Sequence, residues 1–230
     1  QLLSILEFES LYFSRTDQFE DDFEGSIPEA TAEVRKKQFN EMDTPDNVDL
    51  NENFREGMRA IRKATYINCW HHANSENIAM WKLYSERDKG IVVLSNYGQF
   101  SDSISGAKDG QLYNDGLVNY VDFENSIVPR VPPQAPYFHK REIYQHEREF
   151  RAVITDFSQK QDDESLIESV EKGRYDKGMS VPVDVKGLIS EIRVYPGAPD
   201  WYFDLIKSVV DSLGYEFEVN RSRLEGDPIH

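Results

Sequence analysis

Short strand-like segments and helical segments follow one another along this chain in an irregular order, and this order is what most constrains the fold. Apolar, β-branched and aromatic runs predict strands around residues 11–13 and at 66–70, 91–94, 117–123, 150–154, 180–183, 189–195 and 215–219. Helical patterns occupy residues 29–40, 51–64, 76–85 and 201–213. Strands and helices do not alternate as they do in doubly wound proteins, so the sequence predicts an α+β fold with a mixed, largely antiparallel sheet flanked by helices. No internal repeat or long linker divides the chain, and residues 1–230 are therefore predicted to form a single compact domain.

The charge balance narrows the kind of partner that the chain can bind. It has 42 acidic and 26 basic residues, which gives a net charge of −16. Phosphate backbones bind to basic patches, so a broad nucleic-acid surface is not expected, whereas a basic protein partner would be attracted. No apolar run approaches the ~18–20 residues of a membrane helix, and no membrane association is expected. The one cysteine, Cys69, cannot form an internal disulfide, which favours a cytoplasmic location.

Familiar metal and nucleotide motifs fail on inspection of the sequence. The run Glu20-x-Asp22-x-Glu24-Gly25 begins like a calcium loop, but Thr31 stands where the twelfth-position glutamate is required. His146-Glu147 begins like a zinc-protease motif, but Phe150 replaces the second histidine. These observations predict no metal site, and no glycine-rich phosphate loop is present in the sequence.

The best chemical candidate is the segment 146–154. On a strand, the period of two would place Glu147, Glu149 and Arg151 on one face. Two carboxylates about 7 Å apart beside a guanidinium could polarise a substrate hydroxyl and hold an anionic group. The alternative is an ordinary surface salt-bridge ladder, in which the same residues pair with one another.

Two further segments contain candidate binding residues. Arg15 precedes an acidic turn at 17–25 that includes Asp22; this turn is either a solvated loop or a segment that closes over a cationic or hydroxyl-rich ligand. Residues 75–84 contain Ser75, Trp81 and Tyr84, and the helix at 76–85 is predicted to be buried because it has little polar surface. Its aromatic side chains would then be core residues, or alternatively a stacking platform for a ligand.

Taken together and in this order, these segments resemble the bacterial "domain of unknown function 2971" family. The resemblance rests on 11–14 with 19–25, on 75–84 with 90–93, on Lys140, Tyr144, Glu147, Glu149 and Arg151, and on the closing stretch 185–222. The family usually has Asn-Asp-Pro in the early turn, where this chain has Glu20-Asp21-Asp22. The resemblance implies one compact α+β domain in prokaryotes, of a kind often associated with mobile-element and defence genes.

The arrangement is also similar to that of ADP-ribosyltransferase-like toxins at the level of the fold. That similarity implies an enzyme that acts on NAD or a similar nucleotide by ADP-ribosyl transfer or glycohydrolysis. The cofactor is left open, with NAD as the candidate. Arg15 would then hold pyrophosphate, Ser75 and Tyr84 would line the nicotinamide pocket, and Glu149 would orient a ribose hydroxyl. The alternative is a non-catalytic sensor or protein-interaction module with an acidic surface.

Overall fold

The computed structural model of the protein describes residues 1–42, 45, 49–104, 108–128, 133–161 and 163–224. Within these ranges the α-helices are α1 (Leu2–Phe8), α2 (Glu29–Asn40), α3 (Leu50–Lys63), α4 (Ile78–Tyr84), α5 (Tyr97–Ser103), α6 (Leu166–Glu171), α7 (Val185–Leu188) and α8 (Asp200–Ser212). The strands are β1 (Ser10–Arg15), β2 (Thr65–His71), β3 (Ile91–Leu94), β4 (Gln111–Leu117), β5 (Asn119–Val121), β6 (His139–Arg141), β7 (Glu149–Asp156), β8 (Gly178–Pro182), β9 (Glu191–Val194) and β10 (Glu218–Arg221). None of the described helices is long and apolar enough to cross a membrane.

The largest sheet has five strands in the order β4-β7-β2-β1-β8. The pairs β4–β7, β7–β2 and β2–β1 are antiparallel, and helices flank the strands, so the predicted α+β fold with a largely antiparallel sheet is confirmed. A second sheet, β10-β9-β3, pairs β9 with β10 in parallel and with β3 in antiparallel register. β5 and β6 form a separate parallel pair.

The chain separates into two compact units. The first contains 1–11, 73–105 and 180–230, and the second contains 12–72 and 106–179. In the first unit, β9, α8 and β10 follow one another, and α8 provides the crossover that two neighbouring parallel strands require. Ile192 and Val194 of β9 and Val210 of α8 are fully buried there.

The core of the second unit determines which face of β7 is inside. Ile67 of β2 lies opposite Val153 of β7, and both pack with the fully buried Tyr137. Because side chains alternate along a strand, Arg151 and Glu149 continue the face that Val153 begins. The start of β7 therefore carries charged side chains on the same face as the apolar core.

The predicted helix at 76–85 differs from the observed α4 in its start and in its burial. The helix begins at Ile78, two residues later than predicted, because the Asn77 side chain accepts a hydrogen bond from the Ala79 amide at 2.9 Å and caps it there. Ile78, Leu83 and Tyr84 are 45%, 59% and 65% exposed, so the prediction of a buried helix is also wrong. A helix of seven residues presents only one side to its unit, and here that side carries Trp81.

The strand predicted at 117–123 is wrong in its bounds, because the structure has β4 over Gln111–Leu117 and the short β5 over Asn119–Val121. The apolar pattern does not predict β4, because the centre of this strand contains the polar residues Asn114 and Asp115. Their polar groups are satisfied within the fold: Asn114 donates to Gln134, and Tyr113 donates to Asp115 at 2.8 Å. The helices α5 and α6 are short and polar, and the apolar periodicity does not predict them.

Candidate functional site

A cluster of five charged side chains in the second unit contains the main sequence candidates. It consists of Glu24, Lys140, Glu147, Glu149 and Arg151, all of them buried, and Arg151 is fully buried. The Arg151 guanidinium donates to both Glu24 oxygens at 2.6 and 2.9 Å and to both Glu149 oxygens at 2.8 and 3.2 Å. Lys140 donates to Glu149 at 2.7 Å and also to Glu147. The structure thus brings Glu147, Glu149 and Arg151 together, as the sequence predicts, and places them in the interior.

The backbone places these groups by three different local structures. Glu149 and Arg151 are alternate residues of β7 and therefore share a face. Glu147 lies outside the strand, at the end of a 3₁₀ helix over Glu142–Glu147. Arg148 follows with a φ of 44°, in the left-handed region, and this turn leads the chain into β7. The prediction that Glu149 and Arg151 share a strand face is confirmed, whereas the placement of Glu147 on the same strand is wrong, because Glu147 belongs to the 3₁₀ helix before it.

The acidic turn at 17–25 supplies the fifth member of the cluster. Glu24 is 2% exposed and pairs with Arg151, while Asp21 accepts from Arg141 at 2.8 Å. Gly25 has a φ of 72°, and a Cβ at this position would overlap the Tyr137 ring, so glycine is required here. Together with Asp17, which pairs with Arg15, three acids of this turn therefore meet cations of the protein itself, a use that the sequence did not reveal.

Electrostatics keep the cluster charged even though it is buried. Burial alone would raise the pKa of Glu149, but the Arg151 charge and hydrogen bonds, together with Lys140, hold that pKa well below its ordinary value of 4.5. Burial would lower the pKa of Lys140, and the nearby Glu149 raises it instead. With three carboxylates and two cations, the cluster carries one more negative charge than positive when every member is ionised.

The lone pairs of Glu149 are directed at protein donors. One oxygen accepts from Lys140 and Arg151, and the other accepts from Arg151. Its backbone amide donates to the Tyr120 hydroxyl at 2.8 Å. Such an arrangement fixes the carboxylate in place, because three of its hydrogen bonds come from cations of the protein.

No protein-family model, curated protein or solved structure matches this chain. The resemblance to the "domain of unknown function 2971" family therefore stays a prediction, as does the single domain over 1–230. Function has to be argued from the site itself.

The remaining candidates of the second unit have roles apart from the cluster. Arg15 forms two bonds to Asp17, at 2.7 and 3.0 Å, and a third to the Tyr175 carbonyl. The Arg15 guanidinium is thus hydrogen-bonded within the protein, whereas the analogy with ADP-ribosyltransferase-like toxins assigns it to the binding of pyrophosphate. Asp22 is exposed to solvent.

The candidates of the first unit do not share a common surface. Trp81 is 6% exposed, its indole N–H donates to Glu76 at 3.1 Å, and its ring meets the Tyr195 ring edge-on at 5.7 Å. Ser75 and Tyr84 are exposed, so the structure places Trp81 in the core and the other two at the surface. Among the two interpretations of the aromatic side chains, Trp81 fits the core role.

A second buried ion-pair group in the first unit is one that sequence reasoning missed. Glu76 accepts from Arg193 at 2.8 Å, from the Arg223 amide at 2.8 Å and from the Ser222 hydroxyl. Although burial opposes it, these hydrogen bonds hold the pKa of Glu76 below its ordinary value. The alternating Glu191-Ile192-Arg193 could have indicated it, since Arg193 pairs with Glu191 as Arg151 pairs with Glu149.

A shallow cavity of about 440 Å³ also lies in the first unit, lined by Lys82, Ser85, Arg87 and Tyr195. Among the described residues, no three histidine, cysteine, aspartate or glutamate side chains are arranged to hold a metal ion. Cys69 of β2 is exposed to solvent.

Proposed function

We propose that this chain is a non-catalytic protein-interaction module whose acidic surface binds a basic partner. One observation supports the proposal above all: Glu147, Glu149 and Arg151 are buried and paired with one another, with Lys140 and with Glu24. A catalytic carboxylate needs a lone pair that faces substrate, and this cluster offers its lone pairs to protein donors.

The energetics of the cluster support a structural role. Removing one partner from a buried ion pair typically costs ~3–5 kcal/mol, because the other charge stays behind without compensation. A substrate that displaced Lys140 or Arg151 from Glu149 would have to offset a penalty of this kind. The cluster is therefore better suited to fixing the 17–25 turn and the start of β7 in one conformation.

The net charge supports a basic partner. A protein with a charge of −16 attracts basic surfaces over distances of about a Debye length, and this attraction accelerates encounter. Complementary charge across an interface mainly raises the association rate and excludes partners of like charge. An acidic binding module would thus show affinities that fall as salt is added.

The Glu149→Gln variant distinguishes a non-catalytic interaction module from an NAD-consuming enzyme. If the cluster is structural, the variant lowers the melting temperature and the wild type shows no release of nicotinamide from NAD. In parallel, a fluorescently labelled decamer of lysine should bind the wild type at low salt and dissociate at high salt. NAD turnover by the wild type that falls by about 10² or more in Glu149→Gln, at an unchanged melting temperature, would overturn the proposal.

A second candidate function is a defence- or toxin-type enzyme that consumes NAD or a related nucleotide by ADP-ribosyl transfer or glycohydrolysis. The observation that favours it is the low pKa of Glu149, caused mainly by Arg151 against the opposing effect of burial. A permanently ionised glutamate could stabilise the oxocarbenium-like transition state of glycosidic cleavage. The same NAD assay, run on the wild type and on Glu149→Gln, decides between the two functions.

A further inference from the structure

We infer that the cavity of the first unit binds a small phosphate monoester. The cavity has a volume of about 440 Å³ and is lined by Lys82, Ser85, Arg87 and Tyr195. Sites for small ligands usually measure ~300–1,000 Å³ and combine an aromatic or apolar wall with a few polar groups. The inference concerns a small molecule and does not depend on the basic protein partner proposed above.

The wall formed by Ser85 and Tyr195 is held in place by contacts within the unit. The Ser85 hydroxyl donates to the Trp81 carbonyl at 2.6 Å, and the Trp81 ring meets the Tyr195 ring edge-on at 5.7 Å. The Tyr195 amide donates to the Gly90 carbonyl at 2.9 Å. A Cβ at Gly90 would overlap the Ser85 side chain, so this close approach requires glycine. The wall is thus formed before a ligand arrives, which lowers the cost of ordering on binding.

Both charged residues of the lining are basic. Lys82 forms no ion pair with another residue that the structure describes. Arg87 lies 4.0 Å from Asp88, and the side chains of this pair are 90% and 55% exposed. Such an exposed pair contributes only ~0–1 kcal/mol, so an incoming anion can take the place of Asp88. A guanidinium binds two phosphate oxygens at once, and an ammonium adds a compact second charge.

Two acids flank Arg87 in the sequence, but neither belongs to the described lining of the cavity. Glu86 lies near Tyr202, because burial and then the charge of Glu86 raise the pKa of that phenol. Asp88 has a φ of 66°, in the left-handed region, within the turn that leads to β3. The two acids therefore oppose an anion from outside the lining, and their removal should strengthen its binding.

The lining favours a phosphate monoester over a carboxylate. A phosphate monoester carries a charge of about −1.5 to −2 at pH 7, so it gains from both Lys82 and Arg87, whereas a carboxylate carries a single charge. The Tyr195 hydroxyl forms no hydrogen bond with another described residue and adds a neutral donor. The net charge of −16 repels anions at long range, so binding depends on these local cations.

The test is a titration of the isotope-labelled protein followed by the NMR signals of its backbone amides. Phenyl phosphate should shift the signals of residues 82–90 and 195 and should approach saturation at about millimolar concentrations. Benzoate should bind at least about threefold more weakly, and benzyl alcohol should cause no shift. Lys82→Met combined with Arg87→Met should weaken the binding of phenyl phosphate by at least about tenfold, because charge-assisted hydrogen bonds are lost. Glu86→Gln combined with Asp88→Asn should strengthen it by about twofold.

A matched control separates the cavity from bulk electrostatics. Lys207→Met combined with Arg55→Met also removes one exposed lysine and one exposed arginine, and should change the affinity by less than about twofold. Melting curves confirm that each variant is folded. Equal weakening by the two pairs, shifts centred on other residues, or no saturable binding of phenyl phosphate would overturn the cavity assignment. Equal affinity for benzoate would overturn the choice of a phosphate monoester. None of these outcomes affects the lysine-decamer test of the interaction function.

Discussion

Replacement of Arg151 by methionine is the sharpest test of the charged cluster. Methionine keeps much of the length of the side chain and removes the guanidinium, which donates to Glu24, Glu149 and the Tyr137 carbonyl. Both carboxylates would stay buried, with Lys140 as the remaining cation of the cluster. Breaking a buried pair in this way costs ~3–5 kcal/mol, and here one substitution breaks two pairs, so we expect the upper part of that range.

The structure also predicts that Glu149→Gln is the milder change. In that variant Arg151 keeps both hydrogen bonds to Glu24, and Lys140 keeps its ion pair with Glu147. The cluster then contains two cations and two carboxylates, so its charges balance. The loss is limited to charge-assisted hydrogen bonds, at ~1–3 kcal/mol. For a chain of this size 1 kcal/mol corresponds to about 2–4 °C, so Arg151→Met, at about 4–5 kcal/mol, should lower the melting temperature by about 8–20 °C and Glu149→Gln by less.

Scanning calorimetry at neutral pH measures both variants, with Arg55→Met as the control. Arg55 forms an exposed ion pair with Glu52 at 3.4 Å, and its loss should change the stability by less than ~1 kcal/mol. Adding Glu24→Gln to Arg151→Met removes one stranded carboxylate and should recover part of the lost stability. The reasoning is refuted if Arg151→Met melts within about 1 °C of the wild type, or if the double variant is no more stable than the single one.

Two further outcomes follow from the structure. Because the pKa of Glu149 is low, its contribution to stability is present above pH 4.5 and is lost as the pH falls below that value. The melting temperature of the wild type should therefore fall more steeply with decreasing pH than that of Glu149→Gln. Parallel curves of melting temperature against pH would contradict this. In chemical denaturation, Trp81→Ala should lower the free energy of unfolding by ~3–5 kcal/mol and Tyr84→Ala by less than ~0.5 kcal/mol, because only Trp81 is buried. Equal losses of stability would place both side chains in the core.

The pattern of apolar residues predicted the helices and strands that bury a continuous row of apolar side chains. The bounds of β3 agree with the sequence because β3 is a continuous apolar run, and those of α8 agree to within a residue because its apolar residues follow the helical period. The bounds of α2 also agree, although its buried residues are Thr31 and Arg35. This pattern did not predict β4, whose interior is polar and whose hydrogen bonds go to Gln134 and neighbouring groups. It overstated the burial of α4, because composition does not tell how many sides of a short helix are covered.

The period of two gave the correct face for Glu149 and Arg151, but it could not tell whether that face is inside the protein. The neighbouring strands hold the missing information. Arg151 lies opposite Cys69 on β2 and opposite Gly116 on β4, so small residues flank it on both sides. They leave room for a guanidinium that extends to the 17–25 turn, and the acid it meets there, Glu24, is more than a hundred residues away in sequence. Such a pairing depends on strand register, which a single sequence does not specify.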